Sequence, residues 1–209
     1  MTSPARLAGN GVALVRERTL AATVQEALER VYQLERVADV GPFVRGAEDG
    51  AREALVLRQA DDGAIEVSLH LPALDAEAKL DALCQIIEGV SHFVYVVERA
   101  RMEREATQLE LELQAEVDKW VVLAASIDGF DRTRSAALRE RLYESVAFRD
   151  PATSEVGERY RVANEVAHAF VRRLERDFVG RARYGEMHAE LRRFFRHGLG
   201  EKLRLGRAA

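Results

Sequence analysis

Apolar side chains recur at Leu80, Leu83, Ile87, Val90, Val94 and Val97, and again at Leu109, Leu113, Val117, Trp120, Val121 and Ala124. The gaps alternate between three and four, the period of a helix face and not of a strand. Between the two series, Glu98 to Ala106 is polar on nearly every side. The pattern predicts two long helices within Asp75–Ile127, joined by a turn or an exposed helical stretch, with the rest of the chain gathered on them. Two segments compete as strands. His92 to Val97 is rich in β-branched and aromatic residues, and Leu109, Leu111 and Leu113 alternate with Glu110 and Glu112. Helix prevails because six positions keep helical spacing from Leu80 to Val97, and strong helix formers fill 108–116.

Upstream, Leu20, Val24, Ala27, Leu28, Val31, Leu34 and Val37 predict a helix over Leu20 to Asp39, stopped by Gly41-Pro42. Ser3-Pro4 could open a single turn that Gly9-Asn10-Gly11 would end. Val12 to Arg16 reads as a short edge strand or as a lead-in. The alternation changes to period two at Ile65, Val67, Leu69 and Leu71, and upstream at Leu55 and Leu57, with Asp61-Asp62-Gly63 between. That is a β-hairpin. One hairpin is marginal in water, so it must lie on a helix or take a third strand from Val12–Arg16 or Pro42–Arg45. Pro72 ends it, and Asp75 would cap the first organising helix.

Downstream, Asp128-Gly129 breaks the second organising helix. A third runs over Thr133 to Phe148, with Ala137, Leu138, Leu142 and Val146 inward, until Asp150-Pro151. Ser154 or Thr153 caps the next, which continues to Phe178. Gly180 and Gly185 bracket a break before a last helix holding Met187, Leu191, Phe194 and Phe195. Glu201 to Ala209 reads as a loose basic tail. The predicted fold is mainly α (α+β): a helix-plus-hairpin module at 1–73 and a helical bundle at 74–209.

At 209 residues the chain can bury a core without disulfides or metals. Cys84 is the only cysteine, which suits a reducing compartment; its place beside Leu83 argues for packing over nucleophilic chemistry. Met1 to Thr19 lacks the apolar core of a signal peptide, and Asp81, Glu88 and His92 interrupt the most apolar window, so no membrane span and a cytoplasmic location are expected. The only lysines are Lys79, Lys119 and Lys202 against many arginines, a bias expected of a GC-rich bacterial genome. Residues 159–209 carry 13 Lys+Arg against 6 Asp+Glu, and residues 1–158 carry 18 against 29. A basic end can bind nucleic acid or an anionic membrane. The favoured alternative lays it against the protein's own acids at Glu103, Glu105, Glu110, Glu112, Glu116 and Asp118.

No Gly-x-Ser-x-Gly, Walker-type loop or Cys-x-x-Cys is present. What remains is polar stripes at helical spacing: Gln85, Glu88, His92, Tyr95 and Arg99; Glu112, Glu116 and Lys119; and Arg161, Glu165, His168, Arg172 and Glu175. Glu165 and His168 have the Glu-x-x-His spacing of ferritin-like di-iron bundles, but that pattern needs two such pairs and Glu88/His92 are four apart. Candidate metal ligands are therefore Glu88, His92, Glu112, Glu116, Glu165 and His168, and candidate acid–base groups Glu88, His92, Glu165 and His168; the plainer expectation is solvated faces laced by ion pairs. The leading expectation is a non-enzymatic interaction or regulatory protein working through amphipathic helix faces, with a protein partner or a second copy. A Glu/His bundle enzyme or metal protein, and nucleic-acid binding by the arginines around Phe178, Tyr184, Phe194 and Phe195, are the alternatives. Any cofactor is left unknown by the sequence.

Overall fold

A computed structural model describes the backbone of residues 4–207 except 37, 49 and 75–79, and the side chains from residue 14 onward. Asp75, read as an N-cap, and Val37 thus lie outside the described residues. Among the described residues the chain is mainly helical with one small sheet: α1 (Pro4–Tyr32), β1 (Val44–Gly46), β2 (Ala54–Gln59), β3 (Ile65–Leu71), α2 (Leu80–Arg101), α3 (Gln108–Ala125), α4 (Arg132–Arg139), α5 (Glu155–Asp177), α6 (Tyr184–Arg196) and α7 (Leu199–Arg207). The fold class follows the hydrophobic pattern, and both contested segments, His92–Val97 and Leu109–Leu113, are helical.

α3 is the axle. It packs along α2 on one side and α5 on another, and also touches α1 and α4. Trp120, Leu113 and Val117 are fully buried on it, as are Ile86, Ile87 and Val90 on α2 and Phe170, Val171 and Leu174 on α5. Thr107 caps α3 by accepting the Glu110 N–H, and Ser154 caps α5 by accepting the Gly157 N–H. The sheet has the order β1-β3-β2, with β2 antiparallel and β1 parallel to β3. It lies on α2, where Gly89 admits the sheet: a Cβ there would stand 2.9 Å from the Leu69 side chain. The third strand, Val44–Gly46, comes from the end of the Pro42–Arg45 option, and Val12–Arg16 is helical.

Four expectations are corrected. The first helix spans Pro4–Tyr32 in place of Leu20–Asp39, running through Gly9-Asn10-Gly11. It ends because Gln33 takes a left-handed φ of 54° and the Leu34 N–H bonds back to the Glu29 carbonyl at 3.0 Å. This is a Schellman ending made without glycine, so no Gly or Pro marks it. The helix read as Thr133–Phe148 stops being regular at Arg139 and closes with one wide π turn, Glu140–Glu144; Ala137 and Val146 are exposed, and Ser135 is the buried residue of α4. The loose tail is α7, docked on α5 with Gly206 against Val166, where a Cβ would lie 2.9 Å from the Val166 carbonyl oxygen. Finally, the stripe Gln85, Glu88, Tyr95, Arg99 is interior, not solvated, because α2 is covered by the sheet and α1 as well as by α3. α2 has the length and composition of a membrane-crossing helix, but 56% of that window is buried within the bundle.

Candidate functional site

Four pieces of chain bring charge to one place. α2 supplies Glu88 and His92, one turn apart and so on one face; α3 supplies Glu112, Glu116 and Lys119; α5 supplies Arg159 and Tyr160; the segment before β2 supplies Arg52 and Glu53. Glu88 is 1% exposed. Lys119 Nζ stands 2.8 Å from Glu88 Oε2 and donates to Glu116 Oε1 at 2.9 Å. Arg52 reaches in from the rim, 3.7 Å from Glu88 and 3.5 Å from Glu53. Glu112 lies 3.8 Å from both His92 Nε2 and Arg159 Nε, too far for a hydrogen bond.

The cluster is charged but poorly hydrogen-bonded. Both Glu88 oxygens, His92 Nε2, Glu53 Oε2 and Arg159 Nε are buried without a hydrogen-bond partner, and the Lys119–Glu88 approach is a charge contact whose angle does not make a hydrogen bond. Burial drives the Glu88 carboxyl upward, but Lys119 and His92, with a smaller contribution from Arg52, outweigh it and hold the group below its ordinary value. Burial, reinforced by the Glu88 charge, pushes Glu112 up to about 8, and Glu53 is raised for the same two reasons. Burial also raises Glu116 and lowers His92. Near neutral pH, an ionised Glu88 therefore sits beside carboxyls that hold their protons. Carboxyls pushed in opposite directions are a usual mark of a working site.

A cavity of about 440 Å³ opens over this cluster. Glu88, Glu116 and Lys119 form part of its lining, Leu80, Leu142 and Val156 make apolar walls, and Arg52, Arg141 and Arg149 line it too. The π turn at Glu140–Glu144 contributes Arg141 and Leu142, and the Tyr143 hydroxyl ties that turn to α3 by donating to the Glu116 carbonyl at 2.8 Å. Wide turns of this kind are frequent beside functional sites. Cys84 also faces the cavity; burial pushes its thiol up to about 11, which keeps it a poor nucleophile.

Of the residues singled out in the sequence, the structure gathers Glu88, His92, Glu112 and Glu116. Glu165 is exposed. His168 joins a different group, 3.2 Å from Glu144, 2.8 Å from Arg139 Nη1 and stacked on Tyr143. The Glu-x-x-His pair is therefore no part of this cluster. Arg52, Glu53, Arg159 and Tyr160 were not legible as site residues, since they lie on a loop and on a helix far away in sequence with no motif of their own. Part of the basic end meets the acids named above, but in the interior and not on a surface: Arg159 stands 3.8 Å from Glu112, and Lys202 faces the buried Glu110 and Asp118. Other arginines pair within the basic end, Arg173 with Glu190, Arg183 with Glu186 and Arg204 with Glu201, while Phe194 and Phe195 are core.

A second buried polar network occupies the other side of α3. Asp118 accepts from Ser91 at 2.6 Å, from Gln114 at 2.9 Å and from the Tyr32 hydroxyl. Lys202, fully buried on α7, donates to Gln114 Oε1 at 2.6 Å and rests over the Tyr95 ring. Tyr95 donates to Glu110, which Arg99 also pairs, and Arg99 reaches the His197 carbonyl at 2.7 Å. Burial pushes Asp118 up to about 6 and Lys202 down to about 7. Neither a family model nor a curated protein or solved structure matches the chain, so its function rests on this geometry.

Proposed function

We propose that this chain binds a small polar molecule in the cleft above Glu88, Glu116 and Lys119, and that the Glu/His groups of the facing helices α2 and α3 act on it. The supporting observation is the buried, hydrogen-bond-deficient ion cluster at the base of a cavity large enough for a metabolite. Glu88 Oε1, free of the Lys119 contact that Oε2 makes at 2.8 Å, calls for a hydrogen-bond donor, such as an amine or hydroxyl on the ligand. The Arg141 and Arg149 guanidiniums at the exposed rim suit an anionic group at its other end. The ligand class is thus a small molecule with a donor-bearing head, an apolar middle for Leu80, Leu142 and Val156, and an acidic tail.

The interaction-protein reading has its own support. Val146, Phe148 and Val156 are large apolar side chains left exposed at this same cleft, so a partner could insert a side chain there. Helix faces themselves offer less: of the exposed large apolar residues among those described, only Val15 and Val156 are helical.

Thermal-shift screening of small amino acids and amino alcohols tests the leading reading. At least one should raise Tm of the wild-type protein in a concentration-dependent way, and Val156→Trp, which fills the cleft mouth, should abolish the shift. A shift unchanged in Val156→Trp, or none from any amine-bearing solute at millimolar concentration, overturns it.

A further inference from the structure

Glu88, His92 and Glu112 do more than share a cluster. One donor atom from each lies within 4.8 Å of the others. Acidic groups gathered on helices are common without an ion, so the second observation matters. Glu88 is 1% exposed, and neither of its oxygens has a hydrogen-bond partner. His92 Nε2 is likewise buried and unpartnered, and it stands 3.8 Å from Glu112 Oε2, too far for a hydrogen bond whether or not that carboxyl carries its proton. Unpartnered buried acceptors gathered this closely favour a cation between them, one that takes the place of the proton held on Glu112.

We propose that Glu88, His92 and Glu112 bind one divalent transition-metal ion. The division of labour around them fits. Lys119 lies against Glu88 Oε2, leaving Oε1 for the ion. Arg159 lies against Glu112 Oε1, while Oε2 faces His92 at 3.8 Å. Each carboxylate is thus steadied by a cation on its outer oxygen, as supporting groups around metal ligands do. Ligand bonds of about 2.0–2.2 Å place neighbouring donors about 3–3.5 Å apart, so the three groups must draw in by roughly an ångström. All three ride on long side chains whose terminal torsions are soft.

One imidazole and two carboxylates form a mixed nitrogen and oxygen set, which suits zinc, manganese or ferrous iron over copper(I) or an iron–sulfur cluster. Three protein ligands leave at least one position open, the arrangement of reactive rather than purely structural sites. Glu165 and His168 take no part: the first is exposed and the second is engaged with Glu144 and Arg139. The ion therefore answers to one Glu/His pair plus a glutamate from the facing helix, and not to a ferritin-like double motif.

The proposal rests on the same cluster as the cleft reading, but of its three ligands only Glu88 lines the cavity, so the two can fail separately. The full-length protein, stripped with chelator and then titrated with Co(II), should take up one equivalent and develop visible d–d absorption. His92→Gln and Glu112→Gln, which preserve volume, should each weaken binding about tenfold or more, with Glu165→Gln unchanged. Val156→Trp should leave the cobalt spectrum intact even where it abolishes solute binding. Should the substitutions disturb folding, the wild type still decides the matter: among its five histidines, only the His92 ring should shift or broaden first in the NMR spectrum at one equivalent. No saturable uptake, uptake indifferent to His92→Gln and Glu112→Gln, or broadening at another histidine first overturns the proposal.

Discussion

α3 carries two buried polar networks on opposite sides, and they are built on different principles. Around Asp118 nearly every group is spoken for: both carboxylate oxygens accept hydrogen bonds, Gln114 uses its oxygen and its nitrogen, and Lys202 is capped by an amide oxygen and an aromatic face. The unpartnered atom there is Arg99 Nε. Around Glu88 the charges are as dense, but both Glu88 oxygens, His92 Nε2 and Arg159 Nε have no hydrogen-bond partner, and a cavity lies alongside. A saturated network fixes one packing arrangement. An unsaturated one holds electrostatic potential that another molecule or ion can use. On this contrast the Asp118 side is the structural lock that joins α1, α2, α3 and α7, and the Glu88 side is where chemistry has room.

The largest expected effect follows from cutting the lock. Asp118→Ala strands the Tyr32 and Ser91 hydroxyl protons in the interior and leaves Gln114 Nε2 with the Tyr32 oxygen alone. Each lost partner costs about 1–3 kcal/mol, so the variant should lose about 3–5 kcal/mol, a large share of what a domain has. The mirror substitution on the other side, Glu112→Met, should do the reverse. It removes a desolvated carboxyl that makes no hydrogen bond and that, raised to about 8, is neutral near pH 7, so no ion pair is broken there and only the cost of burying a polar group is relieved. A gain of about 1 kcal/mol, or a Tm rise of about 2–4 °C for this chain length, should accompany any loss of function. Urea melts of the two variants check both signs, and a destabilised Glu112→Met would break the distinction between the networks.

A smaller effect sharpens it. The folded-state value of Lys202, about 7, lies below its ordinary 10.5. Between those values the unfolded chain holds a proton that the folded chain does not, so stability rises with pH across that window. Asp118, about 6 when folded against an ordinary 3.8, works the other way: the folded chain holds the extra proton, so stability falls as pH climbs from about 4 to 6. These two alone would place a shallow minimum between pH 6 and 7, and Glu112 and Glu53, both raised to about 8, move it toward pH 8. The groups facing Lys202 are Glu110, Asp118 and Arg99, with Gln114 and the Tyr95 and Phe194 rings. Lys202→Met should erase the upper limb, flattening a rise on the order of 2 kcal/mol between pH 7.5 and 9.5. An unaltered slope in the variant would show that Lys202 is not the group responsible.

How much of this was legible depends on which physical rule decided each element. The bundle and hairpin were legible because burial imposes a period, and Leu80–Val97 and Ile65–Leu71 carry it plainly. The end of α1 was not, since Gln33 adopts a conformation that sequence rules assign to glycine. The α7 helix was hidden because Lys202 and Arg204 read as solvent-seeking, although Lys202 is enclosed by groups from α2 and α3. Half of the candidate cluster was legible for an indirect reason. Helical spacing placed Glu88 with His92 and Glu112 with Glu116, and only the packing of α2 on α3 made those stripes face each other. Arg52, Glu53 and Arg159 reach the cluster through tertiary contacts that no spacing encodes.

The smallest expected effect is also the cleanest separation of spacing from geometry. Glu165 and His168 form the one pair whose sequence spacing matches a known metal pattern, yet Glu165 points to solvent. Glu165→Ala should therefore change stability by no more than about 0.5 kcal/mol and leave both cobalt uptake and solute-induced thermal shifts as they are. Glu112 has no such motif and is predicted to matter to the metal. If Glu165→Ala weakened cobalt binding while Glu112→Gln did not, the spacing would outrank the observed packing, and α5 would have to turn its Glu165 face inward to meet α3. The rotation that this demands would expel Ala163, Val166 and Ala167, each buried to within 2%, from the core they now fill. That is a far larger disturbance than closing the roughly one-ångström gap at Glu88, His92 and Glu112.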